Sequence, residues 1–448
     1  MPPSSATPRP LATERSPWLR GMLSVPGDAM ISHLALAAAA VARGESVIAG
    51  APGTPGLAAS ARALAALGAR VERRGELWQV SGLGASGLLE PAAPLDFRES
   101  GLGLQLMMGL AGVYDFPTTF LGTPEVSGRA TAQLLSRLGA FGVRLAGEDA
   151  ARLSQTLHGP GLPMPVEMTL PAHAPVMKAA LLLAAMAAPC VSRFTEPMPT
   201  WNHAERMLAQ FGAGLTVTPD DAGGRRIELA GLADLRARQV AIPANTGFAA
   251  LGAVAATIVP GSEIRIENVL VNPARTAILA ALVALGANIE VSQLRSAGGE
   301  EVADLTVKHA GLRGVTLGAP HVEPLLGDMP MLAVAAAFAE GETVLNMPPG
   351  LPLLEQARLM AIARGLAANG VEAEADDEMF AIRGVGQVRG GGRVVTTGDP
   401  MIGMAFLVLG MAAGDQVTID NQSGIEEHFP GFIDRFENIG ASFVRYTE

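Results

Sequence analysis

A chain of 448 residues is longer than one ordinary hydrophobic core organises, so two domains are expected. Charged residues make up only 17% and the net charge is −11, which excludes the basic surface that nucleic acid or an anionic membrane requires. Hydrophobic residues reach 49% with aromatics at 4%, so the cores must rest on Ala, Leu, Val and the 19 Met, yet no apolar run attains the ~18–20 residues of a membrane span.

Residues 1–16, MPPSSATPRPLATERS, are rich in Pro and Ser and contain no apolar h-region. They are expected to form a disordered tail and not a secretory signal. The Pro26-Gly27-Asp28 turn then opens onto a helix that is apolar nearly all round, ISHLALAAAA.

From there two phrases alternate. In the first, an amphipathic helix ends at a Gly and passes into a short alternating strand: ALAALGARVE at Gly68, LGAFGVRL at Gly142, MLAQFGAGLTV at Gly212, ALVALGANIEV at Gly286, GLAANGVEAEA at Gly370 and RFENIGASFVR at Gly440. Gly is expected at each helix end because the chain must turn there through positive φ. In the second phrase an Ala/Leu/Met-rich helix runs through a turn into a strand, as in AAAAVARGESVIAG and FLVLGMAAGDQVTID. Helices without a polar face must be buried. Six units of two helices and several short strands predict α/β globules with central helices and peripheral sheets, grouped three plus three with a break near residue 242; one solenoid of six repeats is the alternative, which the buried helices disfavour.

Between these phrases lie three features with local readings. Cys190, the single cysteine, excludes an intramolecular disulfide, fits a reducing and therefore cytoplasmic setting, and is expected to be buried as a small hydrophobe. RGGGR at 389–393 lacks the strand–loop–helix context of a phosphate cradle and reads as a mobile hairpin. No Cys/His/carboxylate cluster has metal-ligand spacing, so neither metal nor cofactor is expected.

Several stretches, VPGDAMISH, APLDF, MGLAGVYDF, NPARTAIL, AGGEEVADL and MLAVAAAFAEGETVLN, together with the six repeats, resemble the 5-enolpyruvylshikimate-3-phosphate (EPSP) synthases of the glyphosate-insensitive bacterial branch. The resemblance covers nearly all of the chain from about residue 20. It implies a two-domain inside-out α/β barrel, each domain three βαβαββ repeats around buried helices, closing over the substrates. The domains expected on that basis are residues 28–242, of N-terminal type, and 17–27 plus 243–448, of C-terminal type. A monomer is also implied.

The family reaction joins phosphoenolpyruvate to the 5-hydroxyl of shikimate 3-phosphate and eliminates phosphate. Carried over residue by residue, the family's ligands are largely missing. After the turn, Lys, Ser and Arg are here Ala29, Met30 and Leu34, although Asp28, Ser32 and His33 remain. In ESGLGLQ, Glu99, Leu102 and Gln105 replace Asn, Thr and Arg. A Lys-Arg pair is Gly128-Arg129, and in APVMK the hydrogen bonders are Ala174 and Val176 while Lys178 stays. A further Arg is Trp201. The family's proton-accepting Asp aligns with Gly327, with Asp328 and Met329 beside it. In PLLEQAR, Pro352, Leu354 and Ala357 are losses while Glu355 and Arg358 are retained. Asp399 stays, Met401 replaces an Arg, and Glu427 falls where many members carry a cation.

Each charge-assisted hydrogen bond to a phosphate or carboxylate contributes roughly 1.5–3 kcal/mol, so losing about six cations forfeits on the order of 10 kcal/mol. A micromolar ligand is held by only about 8 kcal/mol. The expectation is therefore an EPSP-synthase-family protein that has lost this activity, its cleft refilled by apolar side chains, and that serves as an inactive or repurposed paralogue. The alternative is an active transferase, running either the family reaction or enolpyruvyl-type transfer to a less anionic substrate. Arg129, Lys178, Glu355, Arg358 and Asp28 are read as remnants able to hold a small carboxylate or phosphate, against internal salt bridging for Glu355 and Arg358 and a helix-end structural role for Lys178. An unknown protein partner is the other candidate ligand. His33, His203 and His428 are read as structural.

Overall fold

The computed structural model describes residues 9–85, 87–123, 128–149, 154–220 and 223–445. The chain divides into two compact units, one of Gly27–Pro243 with Ser296–Glu300, the other of residues up to Pro26, Ala244–Arg295 and those from Glu301 on.

Each unit is built on three helices that are buried on every side. In the first these are Ala29–Ala40, Gly101–Ala111 and Pro175–Ala185. In the second they are Thr246–Ile258, Met329–Ala337 and Pro400–Gly410. From Met30 to Ala40 no residue is exposed. Such helices have no polar face to offer water, so they pack on one another and leave the strands to form the shell.

The strands form six sheets with one recurring order. In the sheet of Leu95–Asp96, Pro117–Leu121, Ser154–His158 and Arg144–Asp149, the first pair is parallel and the others antiparallel. The sheet of Glu167–Thr169, Val191–Glu196, Arg225–Ala230 and Gly214–Pro219 repeats this order. Between its leading strand and its last two, each repeat inserts the buried helix, a strand and an amphipathic helix, which is the βαβαββ unit expected. The six helix-end glycines, Gly68, Gly142, Gly212, Gly286, Gly370 and Gly440, all have φ between +86° and +108°.

Two leading strands are exchanged. Arg20–Met22 precedes the helix Ala29–Ala40 in the chain but pairs in parallel with Glu263–Leu270. Gln239–Ala241 precedes Thr246–Ile258 but pairs in parallel with Arg43–Ala49. Each unit thereby contains one strand that the repeat pattern would give to the other.

Three expectations need correction. The expected tail of residues 1–16 is ordered over its last part: Leu11–Glu14 is a strand between Val417–Ile419 and Ser442–Arg445, with Leu11 and Ala12 fully buried. Four residues suffice because both edges are paired, and the Pro/Ser content of residues 1–8, which lie outside the described ones, masked them in composition. Cys190 is exposed, since it sits in the turn after a buried helix and not on it. RGGGR is no hairpin: the Gly390 N–H donates to Asn369 O, Gly392 N–H to Asn369 Oδ1, and Arg393–Val394 joins a sheet in parallel.

Certain strand glycines let the shell approach the helix ends. A Cβ on Gly82 would overlap the carbonyl oxygens of Ala39 and Ala42, and one on Gly384 that of Ala339. Gly82→Ala is expected to destabilise by ~2–3 kcal/mol, the cost of overpacking against backbone. Gly139→Ala, with nothing within 4 Å of its Cβ and φ −55°, is expected to shift the urea midpoint negligibly.

Candidate active site

In the unit of Gly27–Pro243 the retained residues are held from within. A Cβ on Gly27 would overlap Gly50 O, Asp28 N–H donates to Pro243 O at 2.9 Å, and Asp28 Oδ1 accepts from Ile31 N at 3.1 Å, capping the helix. Asp28, expected as a substrate remnant, is a buried N-cap. Met30 and Leu34 are buried, while Ala29 is exposed. Gln105, Ala174, Val176 and Trp201 are each partly exposed, offering no cation. Arg129 begins the helix Arg129–Leu138, and its side chain lies outside the described ones.

Lys178 is likewise paired inside the protein. Only 1% exposed, its Nζ lies 2.8 Å from Glu196 Oε1 and 2.8 Å from Glu205 Oε1. Glu196 Oε1 also accepts from the Thr200 N–H at 3.0 Å. Two carboxylates around one ammonium would leave an uncompensated charge in the interior, and burial pushes the Glu205 carboxyl above its ordinary value despite Lys178. The histidines are hydrogen-bonded within the protein: His33 Nδ1 is 2.8 Å from Ser60 Oγ, and His203 Nδ1 is 2.7 Å from Glu300 Oε1. His428 Nδ1 meets Gly424 O at 2.9 Å.

In the other unit the retained residues converge. Arg358 Nε donates to Asp399 Oδ2 at 2.6 Å, Nη1 to Leu326 O at 2.6 Å and Nη2 to Gly327 O at 3.2 Å, with Glu355 Oε2 3.9 Å away. Asp399 Oδ1 also accepts from Met401 N at 2.8 Å, capping the helix Pro400–Gly410. Three of the five guanidinium N–H groups are thus committed to the protein, so Arg358 acts first as a clamp on the segment before Asp328. Glu355, on the first turn of Leu353–Ala368, remains partly exposed.

Asp328 completes the group, and sequence reasoning passed over it for its neighbour Gly327. The residue is partly exposed, but its carboxyl is largely buried and lies beside Gly247, where a Cβ would sit 2.9 Å from Oδ1. Burial raises its pKa to about 6, against the pull of Arg275 and Arg358. Arg275, in the quoted NPARTAIL, was also not singled out. A carboxyl poised near neutrality between two arginines can take or give a proton.

The apolar replacements are not all core. Leu353 is 81% and Leu354 77% exposed, against the expectation that lost cations were refilled for burial. An apolar side chain on the first helical turn has no neighbour above it to pack on. Among the described residues no group of His, Cys, Asp or Glu is arranged to hold a metal, and no helix is long and apolar enough to cross a membrane.

Two variants test the internal pairings. Lys178→Met strands two buried glutamates and is expected to cost about 3–5 kcal/mol in unfolding free energy, part of which Glu205→Gln in the same chain restores. His33 is pushed from 6.5 to about 4 by burial, with Asp28 opposing. Its folded pKa lies below the unfolded one, so its contribution is complete above pH 6.5 and lost as pH falls to about 4, roughly 3 kcal/mol in all. Denaturation curves of wild type and His33→Asn should therefore converge across that window.

The EPSP synthase (3-phosphoshikimate 1-carboxyvinyltransferase) family model matches residues 14–436. A 3-phosphoshikimate 1-carboxyvinyltransferase of Chelativorans sp. (strain BNC1) is 42% identical over 436 residues, 97% of each chain. One of Rhizobium johnstonii is 40% identical over 445 residues, 98% of each. An EPSP synthase structure from Acinetobacter baumannii superposes with TM-score 0.89 at 27% identity, covering 98% of this chain and 100% of that one. The enolpyruvyl transferase NikO from Streptomyces tendae shares the fold, with TM-score 0.76 at 19% identity and 98% of this chain covered. A βαβαββ architecture matched end to end, at 40% identity or more to curated members, leaves one conclusion: the chain belongs to the EPSP synthase family.

Proposed function

We propose that the protein is an enolpyruvyl-type transferase whose acceptor is less anionic than shikimate 3-phosphate. Similarity to curated transferases along the whole chain supports the reaction class. The observation that carries the reading is the group around Arg358: a guanidinium fixed by Asp399 and two carbonyls, with Glu355 beside it and Asp328 at the end of the segment it clamps. Two carboxyls of different environment, beside arginines, suit a reaction that adds an alcohol across an enol and then expels phosphate. The acceptor is read as less anionic because Ala29, Leu34, Gln105, Trp201, Leu354 and Met401 stand where the family's cations do.

A second reading is a catalytically silent member that binds a small carboxylate, a phosphate or a protein partner. The exposed Leu353 and Leu354 favour it, since a solvent-facing pair of leucines beside a polar group suits a contact surface.

Phosphate release from phosphoenolpyruvate, with shikimate and with shikimate 3-phosphate as acceptors, separates these. Release with shikimate in preference supports the proposal, and preference for shikimate 3-phosphate returns the protein to the family reaction. No release with either favours the silent reading.

A further inference from the structure

We infer that Asp328 is the residue that accepts the acceptor's hydroxyl proton, one position along the chain from the glycine that stands where the family has its base. The inference rests on the transferase reading above and adds to it a named catalytic group.

Four observations place it there. Gly327 has no side chain, so the segment fixed by Arg358 presents Asp328 as its first ionisable group. Asp328 is partly exposed as a residue, and among the described residues no hydrogen bond fixes its carboxyl in the charged form. It lies against Gly247, at the start of the helix Thr246–Ile258 whose N-cap is Asn245, where a Cβ would come within 2.9 Å of its Oδ1. The charged groups acting on it are Arg275, from the NPARTAIL segment, and Arg358, from the helix Leu353–Ala368, while the first turn of Thr246–Ile258 brings none. With its pKa near 6 the group is charged at neutral pH yet basic enough to take a proton in the reaction.

The acceptor oxygen attacks C2 of a phosphoenol carboxylate donor as its proton passes to the Asp328 carboxylate, and the C2–C3 π electrons take a proton at C3 from solvent. In the second half the C2–O bond to phosphate breaks with its electrons, C3 gives its proton back to solvent, and the departing phosphate carries off the proton held by Asp328. Nothing is oxidised or reduced.

The test uses the full chain with phosphoenolpyruvate and shikimate, reading phosphate release. Asp328→Asn, nearly isosteric, is expected to lower kcat about 100-fold at little change in KM and to remove the acid limb of the pH profile near 6. Gly327 has nothing within 4 Å of its Cβ position and no positive φ, so an aspartate fits there. Gly327→Asp placed in the Asp328→Asn protein is expected to recover about tenfold or more of that loss. A purely structural role would not be rescued from the neighbouring position. An active wild type whose Asp328→Asn variant keeps kcat within about threefold, or whose loss Gly327→Asp leaves unrecovered, overturns the assignment while the transferase reading stands. A wild type silent with both shikimate and shikimate 3-phosphate overturns the reading, and the assignment with it.

Discussion

Six helices with no polar face constrain everything else in this protein. A helix such as Ala29–Ala40, buried from Met30 onward, cannot lie on a surface, so each unit gathers three of them and wraps them in short-stranded sheets. Dense packing of Ala and Leu brings backbones close, and glycines such as Gly82 and Gly384 are the positions where strand meets helix end without a side chain between. The same demand reaches the chain's first described residues. Leu11–Glu14 is ordered because the sheet of Val417–Ile419 and Ser442–Arg445 needs a strand between them.

Against that scaffold the retained and the lost family residues sort by who holds them. Asp28 caps a helix, Lys178 neutralises two buried glutamates, and Arg358 pins two carbonyls and a helix-capping aspartate. Each has a partner inside the protein, and removing any of them would orphan a buried polar group at a cost of several kcal/mol. Of the positions that changed, Ala29, Gln105, Ala174, Trp201 and Leu354 stay at least partly exposed, while Met30 and Leu34 are buried. Asp328 and Glu355 are partly exposed residues whose carboxyls no internal bond consumes completely.

Much of the architecture was legible in the amino-acid order because its causes are local. Helix ends announce themselves through glycine, and all six such glycines do adopt positive φ. What escaped were features made by distant segments. The exchange of Arg20–Met22 and Gln239–Ala241 depends on pairing between residues 243 and 192 positions apart (Arg20 with Glu263, Val47 with Gln239), which no window reveals. The Lys178 cage needs Glu196 and Glu205, which have no periodic relation to it, so its aspect as a free cation was misleading. Asp328 was seen only as the neighbour of a missing base, since its raised pKa comes from tertiary burial and not from its place in the chain. Cys190 shows the opposite error, an apolar context along the chain that the turn after a helix does not preserve in space.

We propose that the fold has been kept while several of the cations expected for a phosphorylated acceptor have been replaced. Calorimetric titration of the full chain with shikimate 3-phosphate, carried into the millimolar range, tests it most directly. The account predicts no saturable heat, because too few cations remain at the family's positions to supply the roughly 8 kcal/mol of a micromolar complex. A micromolar dissociation constant would contradict it, and would mean that other groups have taken over the anion's charge.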